Sequence, residues 1–414
     1  MVTYPKDWIE RTLQESCIPY GLVRGPFGGS LKKEMFKPNG NKVYEQRNAI
    51  YKSISIGEYY VDDEKYKEME RFSVHENDFI ISCSGTIGRI YKIPSKAPKG
   101  IINQALLKIT LNTDVCDSDY FYKYFEWDKF QSKIVDDTQG GAMKNLVGMD
   151  KFRNTKIFMP QDINEQKNIA TTLSTFDTHI DNLTALIEKK KAIRDGALAD
   201  LMSGRTRLEG FSGEWEEVSF NQVITPKARI GWQGLKKHEY LPTGYSYLIG
   251  GTDFLNGSIS LASISYVSQD RYEMDENIQV SADDVLVTKD GTIGKVAIVP
   301  KLEKPATLNS GVFVFRTSDR LLPRFLYRVL SSSIFKDFID TLSAGSTIKH
   351  LYQKDLKNFV FKIPAELDEQ KAIADILTSM DTEIQNLEIE REKFIQIREG
   401  AMDDLLTGRV RLPM

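Results

Sequence analysis

The chain carries a long internal repeat, and that repeat limits what it can fold into more than any other feature. Pro160–Leu208 aligns with Pro364–Leu412 at a constant offset of 204, and 24 of the 49 aligned positions are identical. The shared residues include Glu165/Glu369, Gln166/Gln370, Lys167/Lys371, Asp177/Asp381, Arg194/Arg398, Gly204/Gly408 and Arg207/Arg411. Upstream, Gly85-Thr86-Ile87-Gly88 and Gly291-Thr292-Ile293-Gly294 lie 206 apart, as do Asn103 and Asn309, and Trp8 and Trp215 open the two halves. Two copies of about 200 residues describe a duplicated unit, not a solenoid, whose repeats run to roughly 20–50 residues. A duplicated unit implies a pseudo-two-fold, which suits a molecule that reads two places on something long.

The similarity is uneven. The helical ends of the halves match closely, whereas residues 25–75 and 225–280 share almost nothing. One segment begins Arg24-Gly25-Pro26-Phe27-Gly28-Gly29-Ser30-Leu31-Lys32-Lys33, the other Lys227-Ala228-Arg229-Ile230-Gly231-Trp232-Gln233-Gly234-Leu235-Lys236-Lys237. A scaffold kept constant beneath re-specified loops implies two different targets.

The repeated ends read as long helices. Asp162 with Glu165 three residues on has capping-box spacing. Ile169, Leu173, Phe176, Ile180, Leu183 and Ile187 then step by four and three, as do Ile373, Leu377, Met380, Ile384 and Leu387. Gly204 and Gly408 are placed to end the helices, since glycine accepts the left-handed conformation. Residues 165–203 and 369–407 would form rods of about 58 Å at 1.5 Å per residue, most simply paired antiparallel. Leu186, Ile193, Leu198, Ile389, Phe394 and Ile397 lie beyond the narrow seam. They either pack on neighbouring domains or accept helices from a partner.

Before each rod the pattern is mixed α/β. Strands are expected at Phe79–Ser82, Leu106–Ile109, Val285–Thr288 and Val312–Phe315, and helices at Asp119–Lys133 and Pro323–Thr341. The Gly-Thr-Ile-Gly elements lack the full phosphate-loop spacing and read as structural turns. Domain limits follow as 1–160 and 208–364 for the α/β domains, and 161–207 and 365–414 for the helices.

Composition bounds the function. Hydrophobic residues make up 41% and charged residues 27%, an ordinary soluble balance. No apolar run approaches the roughly 18–20 residues that span a membrane. No signal-peptide core opens the chain. Three unpatterned cysteines, Cys17, Cys83 and Cys116, fit a reducing cytoplasm. A net charge of −3 places any nucleic-acid contact on local basic loops. Walker A, His-Glu-x-x-His, Gly-x-Ser-x-Gly, amino-methyltransferase and nuclease motifs are all missing, so a catalytic role for the chain alone is not expected.

The order of these motifs resembles a known family. A Gly-Pro-Phe-Gly-Gly-Ser-Leu loop precedes Val43-Tyr44-Glu45-Gln46-Arg47-Asn48-Ala49-Ile50, then Asp78 to Gly88, an aromatic helix, and Gly140…Lys144-Asn145-Leu146. Pro160…Glu165-Gln166-Lys167-x-Ile169-Ala170 then opens the long helix, and the helix starts and exits recur in the second half. Across essentially its whole length the chain is similar to the DNA-specificity subunit of type I restriction-modification systems. The resemblance implies two target-recognition domains, each reading one part of a split, asymmetric site on double-stranded DNA. It also implies an antiparallel helical spacer that docks two methyltransferase subunits. Those partners would bring S-adenosylmethionine, and a motor-nuclease subunit, where one exists, would bring ATP and Mg.

Side chains suited to base edges and phosphates are Ser30, Lys32, Lys33, Gln46, Arg47 and Asn48 in the first half. In the second they are Arg229, Gln233, Lys236 and Lys237. Lys144 with Asn145, and Lys349 with His350, follow glycine-containing loops at equivalent positions, and the lysines are the better phosphate candidates. The rival readings are a coiled-coil adaptor that never touches DNA and a self-sufficient DNA-binding regulator.

Overall fold

The computed structural model describes residues 4–27, 29–136, 145–146, 148–231, 234–343 and 350–413. It divides into two compact units that do not coincide with the two halves of the sequence. Unit 1 holds Met1–Thr184 with Glu390–Met414, and unit 2 holds Ala185–Ile389. The boundary falls inside both long helices, Ile163–Met202 and Leu367–Leu406. Each unit therefore combines an α/β domain, the start of its own copy's helix, and the end of the other copy's helix.

Unit 1 contains an antiparallel sheet ordered Cys17–Arg24, Leu106–Leu111, Phe79–Ser82, Ile90–Lys92. A second sheet runs Tyr60–Val61, Asn41–Tyr44, Gly100–Ile102, Ser73–Val74, with a parallel pairing of Lys42 to Gly100 at its centre. Unit 2 repeats both. Its sheets run Ile224–Ala228, Val312–Thr317, Val285–Thr288, Val296–Ile298, and Ser265–Val267, Ser246–Ile249, Ala306–Leu308, Gln279–Val280. Phe79–Ser82 and Val285–Thr288 are buried at every residue, as expected of apolar runs covered on both faces. An antiparallel ribbon closes each domain beneath its helix: Trp8 pairs with Pro160, and Trp215 with Pro364.

Both aromatic helices differ from expectation. Each is two helices, Ser118–Glu126 then Asp128–Ile134, and Pro323–Ser331 then Ser333–Ser343. Trp127 and Ser332 sit extended at the breaks. The capping box at Asp162 does not form either. Asp162 accepts from the amide of Asn164, and Glu165 is committed elsewhere.

Glu165 takes Arg411 in a bidentate pair, and Glu369 takes Arg207 in the same way at 2.8 and 2.9 Å. Asp177 accepts from Arg398 and Lys123, and Asp381 from Arg194 and Arg328. Each repeated acid thus meets the repeated base of the other copy, inside one unit. In unit 1 residue 165 faces 411 and 177 faces 398, while in unit 2 residue 369 faces 207 and 381 faces 194, so the paired helical segments of each unit run antiparallel. The buried glutamines complete the set. Gln166 accepts from the Asp117 amide at 2.7 Å and donates to the carbonyls of Val115 and Pro160. Gln370 does the same with Leu322, Arg320 and Pro364. One side-chain amide satisfies three backbone groups that burial would otherwise leave unpaired.

Apolar residues beneath these bonds come from both helices. Ile169, Leu173, Met402 and Leu405 join the core of unit 1, and Ile373, Leu377, Leu201 and Met202 that of unit 2. Gly204 and Gly408 end the helices with φ of +67° and +68°. Gly408 lies so close to Pro5 that a Cβ would meet its ring at 2.5 Å.

Candidate nucleic-acid interface

The two variable loops share the same backbone hydrogen bonds at equivalent positions. Ser30 donates its amide to the carbonyl of Phe27 at 3.0 Å, and Gly234 to that of Gly231 at 3.2 Å. Met35 then bonds back to Lys32, and Glu239 to Lys236. All of these pairs keep the offset of 204 that governs the helices. The sequence signal for it is slight: Leu31-Lys32-Lys33 against Leu235-Lys236-Lys237. Each loop runs into a single 3-10 turn, Lys33–Met35 or Lys237–Glu239.

Both loops are fastened differently beneath. Gly25 presses on Asn103, where a Cβ would meet the carbonyl oxygen at 1.9 Å, and Leu31 inserts among Val43, Val61, Met69 and Ile101. In unit 2 the position of Gly25 is taken by Arg229, which is only 3% exposed and donates to the Leu308 carbonyl at 2.9 Å. Burial pushes its pKa down, with Arg271 adding to the effect. Arg271 in turn holds Glu239 at 2.7 Å and donates to the Gly234 carbonyl, tying the loop to its domain.

Two expected DNA-contacting residues are therefore structural. Arg229 holds the loop from below. Asn48 is 0% exposed: its Oδ1 accepts from the Glu45 amide, and its side-chain amide donates to the carbonyls of Ser53 and Ile56. Glu45 followed three residues later by Asn48 is a capping spacing that could have revealed this; nothing in the sequence marks Arg229. Ser30, Lys32, Lys33, Arg47, Lys236 and Lys237 are exposed, and Gln46 is half-buried. His350 is exposed and bonded through Nδ1 to Asp290 at 2.6 Å. Lys144, Gln233 and Lys349 lie outside the described residues, as does the side chain of Asn145.

The Gly-Thr-Ile-Gly elements are tight turns. Gly85, Gly88, Gly291 and Gly294 all have positive φ. Ser82 donates through Oγ to the Thr86 carbonyl and accepts from the Arg89 amide, and Thr288 does the same with Thr292 and Lys295. The amides of Gly88 and Gly294 bond to the Ser82 and Thr288 carbonyls. The amides of Gly88, Arg89, Gly294 and Lys295 are thus spent within the turn.

On the helices, Leu186, Ile193, Ile389 and Ile397 are exposed. Leu198 instead packs against the unit 2 core, and Phe394 is half-buried edge-on to His179. Among the described residues no cluster of three or more His, Cys, Asp or Glu is placed to hold a metal, and no helix is long and apolar enough to cross a membrane.

Comparison with known proteins agrees with this architecture. Residues 6–192 and 213–395 each match the family described as the type I restriction modification DNA specificity domain. The chain is 26% identical over 356 residues to the type I restriction enzyme MjaVIII specificity subunit of Methanocaldococcus jannaschii, covering 82% of this chain and 80% of that one. Its fold is that of a type I restriction-modification S subunit from M. genitalium (TM-score 0.58, 17% identity, 98% and 96% of the two chains covered). A chain solved in work on assembly and conformational transition of the type I R-M system superposes with a TM-score of 0.62 at 14% identity, covering 99% of this chain and all of that one. With two family domains that together span most of its length, the chain belongs to the type I restriction-modification DNA specificity family, the non-catalytic specificity subunits of those systems.

Proposed function

We propose that each unit's α/β domain reads one part of a bipartite, asymmetric sequence in double-stranded DNA. The long helices fix the number of unread base pairs between the parts and dock two methyltransferase subunits. The observation that carries this is the contrast between the crossed ion pairs, identical in both units, and the loops, which share a backbone turn but carry different side chains. A constant frame under altered side chains is what two readers of different sequences need. Ser30, Lys32, Lys33, Gln46 and Arg47 serve the first part, and Lys236, Lys237 and His350 the second. Lysines meet phosphates, and the unmatched side chains meet base edges. Lys144, Asn145, Gln233 and Lys349 remain candidates on the sequence argument alone. The exposed Leu186, Ile193, Ile389 and Ile397 are the apolar points at which partner helices would pack.

The methyltransferases bring S-adenosylmethionine for adenine methylation, and a motor-nuclease subunit, in a host that has one, brings ATP and Mg. Co-expression with the methyltransferase followed by genome-wide mapping of methylated adenine tests the reading. A single motif with a fixed internal gap is expected, and exchange of residues 20–150 should alter only one of its parts. A stable complex that methylates no motif, and whose association with DNA is insensitive to salt, would favour a protein-assembling adaptor.

A further inference from the structure

Phe27 is 87% exposed, although it stands in a loop fixed at both ends. Gly25 is pressed against Asn103 below it, Leu31 is buried beyond it, and the Ser30 amide closes the turn on the Phe27 carbonyl. The backbone is thus anchored at Gly25 and at Leu31, on either side of Phe27, while the ring itself is not part of any core cluster or aromatic pair described. Within six residues stand two exposed lysines, Lys32 and Lys33. In unit 2 the counterpart of Phe27 is Gly231, preceded by the exposed Ile230 (56%), with the exposed Lys236 and Lys237 following in the chain. An exposed apolar residue followed within seven residues by a pair of exposed lysines is therefore common to both loops, one position earlier in unit 2.

We propose that Phe27 is an apolar wedge that enters the base stack of the first half of the DNA site. The reading rests on DNA recognition by the same loop. Lys32 and Lys33 neutralise the phosphates on either side, and the ring fills the gap between two parted base pairs. Phenylalanine and isoleucine are both residue types that perform such insertion. Insertion prefers steps that unstack readily, so Phe27 would select for deformable steps without a hydrogen bond to any base. Lysine alone could hold phosphates, but it would leave an exposed benzyl group with no occupant. The basic flank specifies a polyanion, and the base stack is the apolar surface a polyanion of this kind offers.

The test uses the specificity subunit complexed with its methyltransferase subunits and the DNA motif mapped for that complex. 2-Aminopurine is placed in turn at each adenine of the first half-site and beside each flexible step. Wild-type binding is expected to raise its fluorescence several-fold at one step. Phe27→Ala should abolish that rise and weaken binding about tenfold or more, the scale of losing one base–aromatic stack. Phe27→Trp should retain the rise, and Ile230→Ala should leave it untouched. Phe27 belongs to none of the core clusters described, so melting temperature should not change in the Phe27 variants. Wild-type affinity without any fluorescent step, or a rise that survives in Phe27→Ala, would overturn the wedge and leave recognition standing. A loss of affinity in Phe27→Ala matched by replacing a thymine with uracil would mean methyl contact in the groove and also overturn it. Failure of the wild-type complex to bind the motif would remove the recognition reading and the wedge together.

Discussion

The two units share one frame but fasten their domains to it differently. In unit 1, Trp127 donates through Nε1 to Asp403 at 2.7 Å and Lys129 reaches the same carboxylate at 2.9 Å. In unit 2 the corresponding residues are Ser332, Ile334 and Ala199, which cannot form that tie. A cleft of about 1110 Å³ opens there between the helices and the domain, lined by Lys191, Arg194, Leu255, Tyr327, Lys336 and Ile384. The difference extends to the helix exit. Arg411 grips both Glu165 and Asp7, whereas Arg207 pairs with Glu369, whose carboxylate also accepts from the indole of Trp215. Duplication kept the bonds that define the helical frame and let the bonds between the frame and the α/β domain diverge.

The largest effects should come from breaking the shared acid–base pairs, and they should be unequal. Glu369→Ala removes the carboxylate that holds both Arg207 and the Trp215 indole and should cost about 2–3 kcal/mol. Glu165→Ala leaves Arg411 its second carboxylate, Asp7, and should cost about 1–2 kcal/mol. Hydrogen exchange resolved by segment, alongside thermal melting, would show unit 2 opening first in one variant and a milder loss in unit 1 in the other. Equal losses would mean that Asp7 does not share the load.

Gln166→Leu and Gln370→Leu probe the part that is not expected to differ. Each substitution strips one backbone amide and two carbonyls of their partner, at about 1–3 kcal/mol. Matched destabilisation, read from denaturant melts of the two variants, would establish that the frame is energetically as well as geometrically repeated.

Asp403→Ala should act on unit 1 alone. Its carboxylate is partly exposed, so the loss is about 1 kcal/mol, and exchange should quicken at 128–134. Ala199→Asp in unit 2 introduces a carboxylate with neither tryptophan nor lysine in reach of the corresponding positions. Its effect should stay within about 0.5 kcal/mol.

Apolar patterning explains which parts of this architecture could be read in advance. Phe79–Ser82 and Val285–Thr288 are strands over the residues expected, and the long helices begin at Ile163 and Leu367, two residues before the rods inferred from the repeat. Continuous burial and heptad spacing are local properties, so they leave a local mark. The crossed partners left none. The repeat marked Glu165, Arg207, Glu369 and Arg411 as important, but identity at a fixed offset does not say whether a base meets its own acid or the other copy's. The divided aromatic helices left no local mark either: Trp127 sits extended at one break with its indole on Asp403, 276 residues away in sequence, and Ser332 at the other, where its Oγ accepts from the Ile334 amide. At the candidate interface, chemistry suggested Arg229 and Asn48 and the fold buried both. The loop correspondence that matters rested on three residues, Leu-Lys-Lys, within a region of little other identity.

Acid should separate the units by the smallest margin. Burial pushes the Asp403 carboxyl up, but the hydrogen bonds from Lys129 and Trp127 outweigh it and hold the group below its ordinary value. A depressed folded pKa means that the contribution of this group is fully present above the unfolded carboxylate value of about 3.9. It is lost as pH falls further, through the folded value. Protection of 128–134 should therefore decline on acidification below about pH 4. In Asp403→Asn the neutral amide can still accept from Trp127, so protection there should start lower and lose this pH dependence, while 333–343, which has no such carboxylate, should respond alike in both proteins. An unchanged decline in Asp403→Asn would assign the acid sensitivity of unit 1 to Asp7 and Arg411 at the helix exit, since the Arg411 hydrogen bond also holds the Asp7 carboxyl low. The tie between the α/β domain and the frame would then be steric, made by the Trp127 ring, and the difference between the units would lie in packing instead of charge.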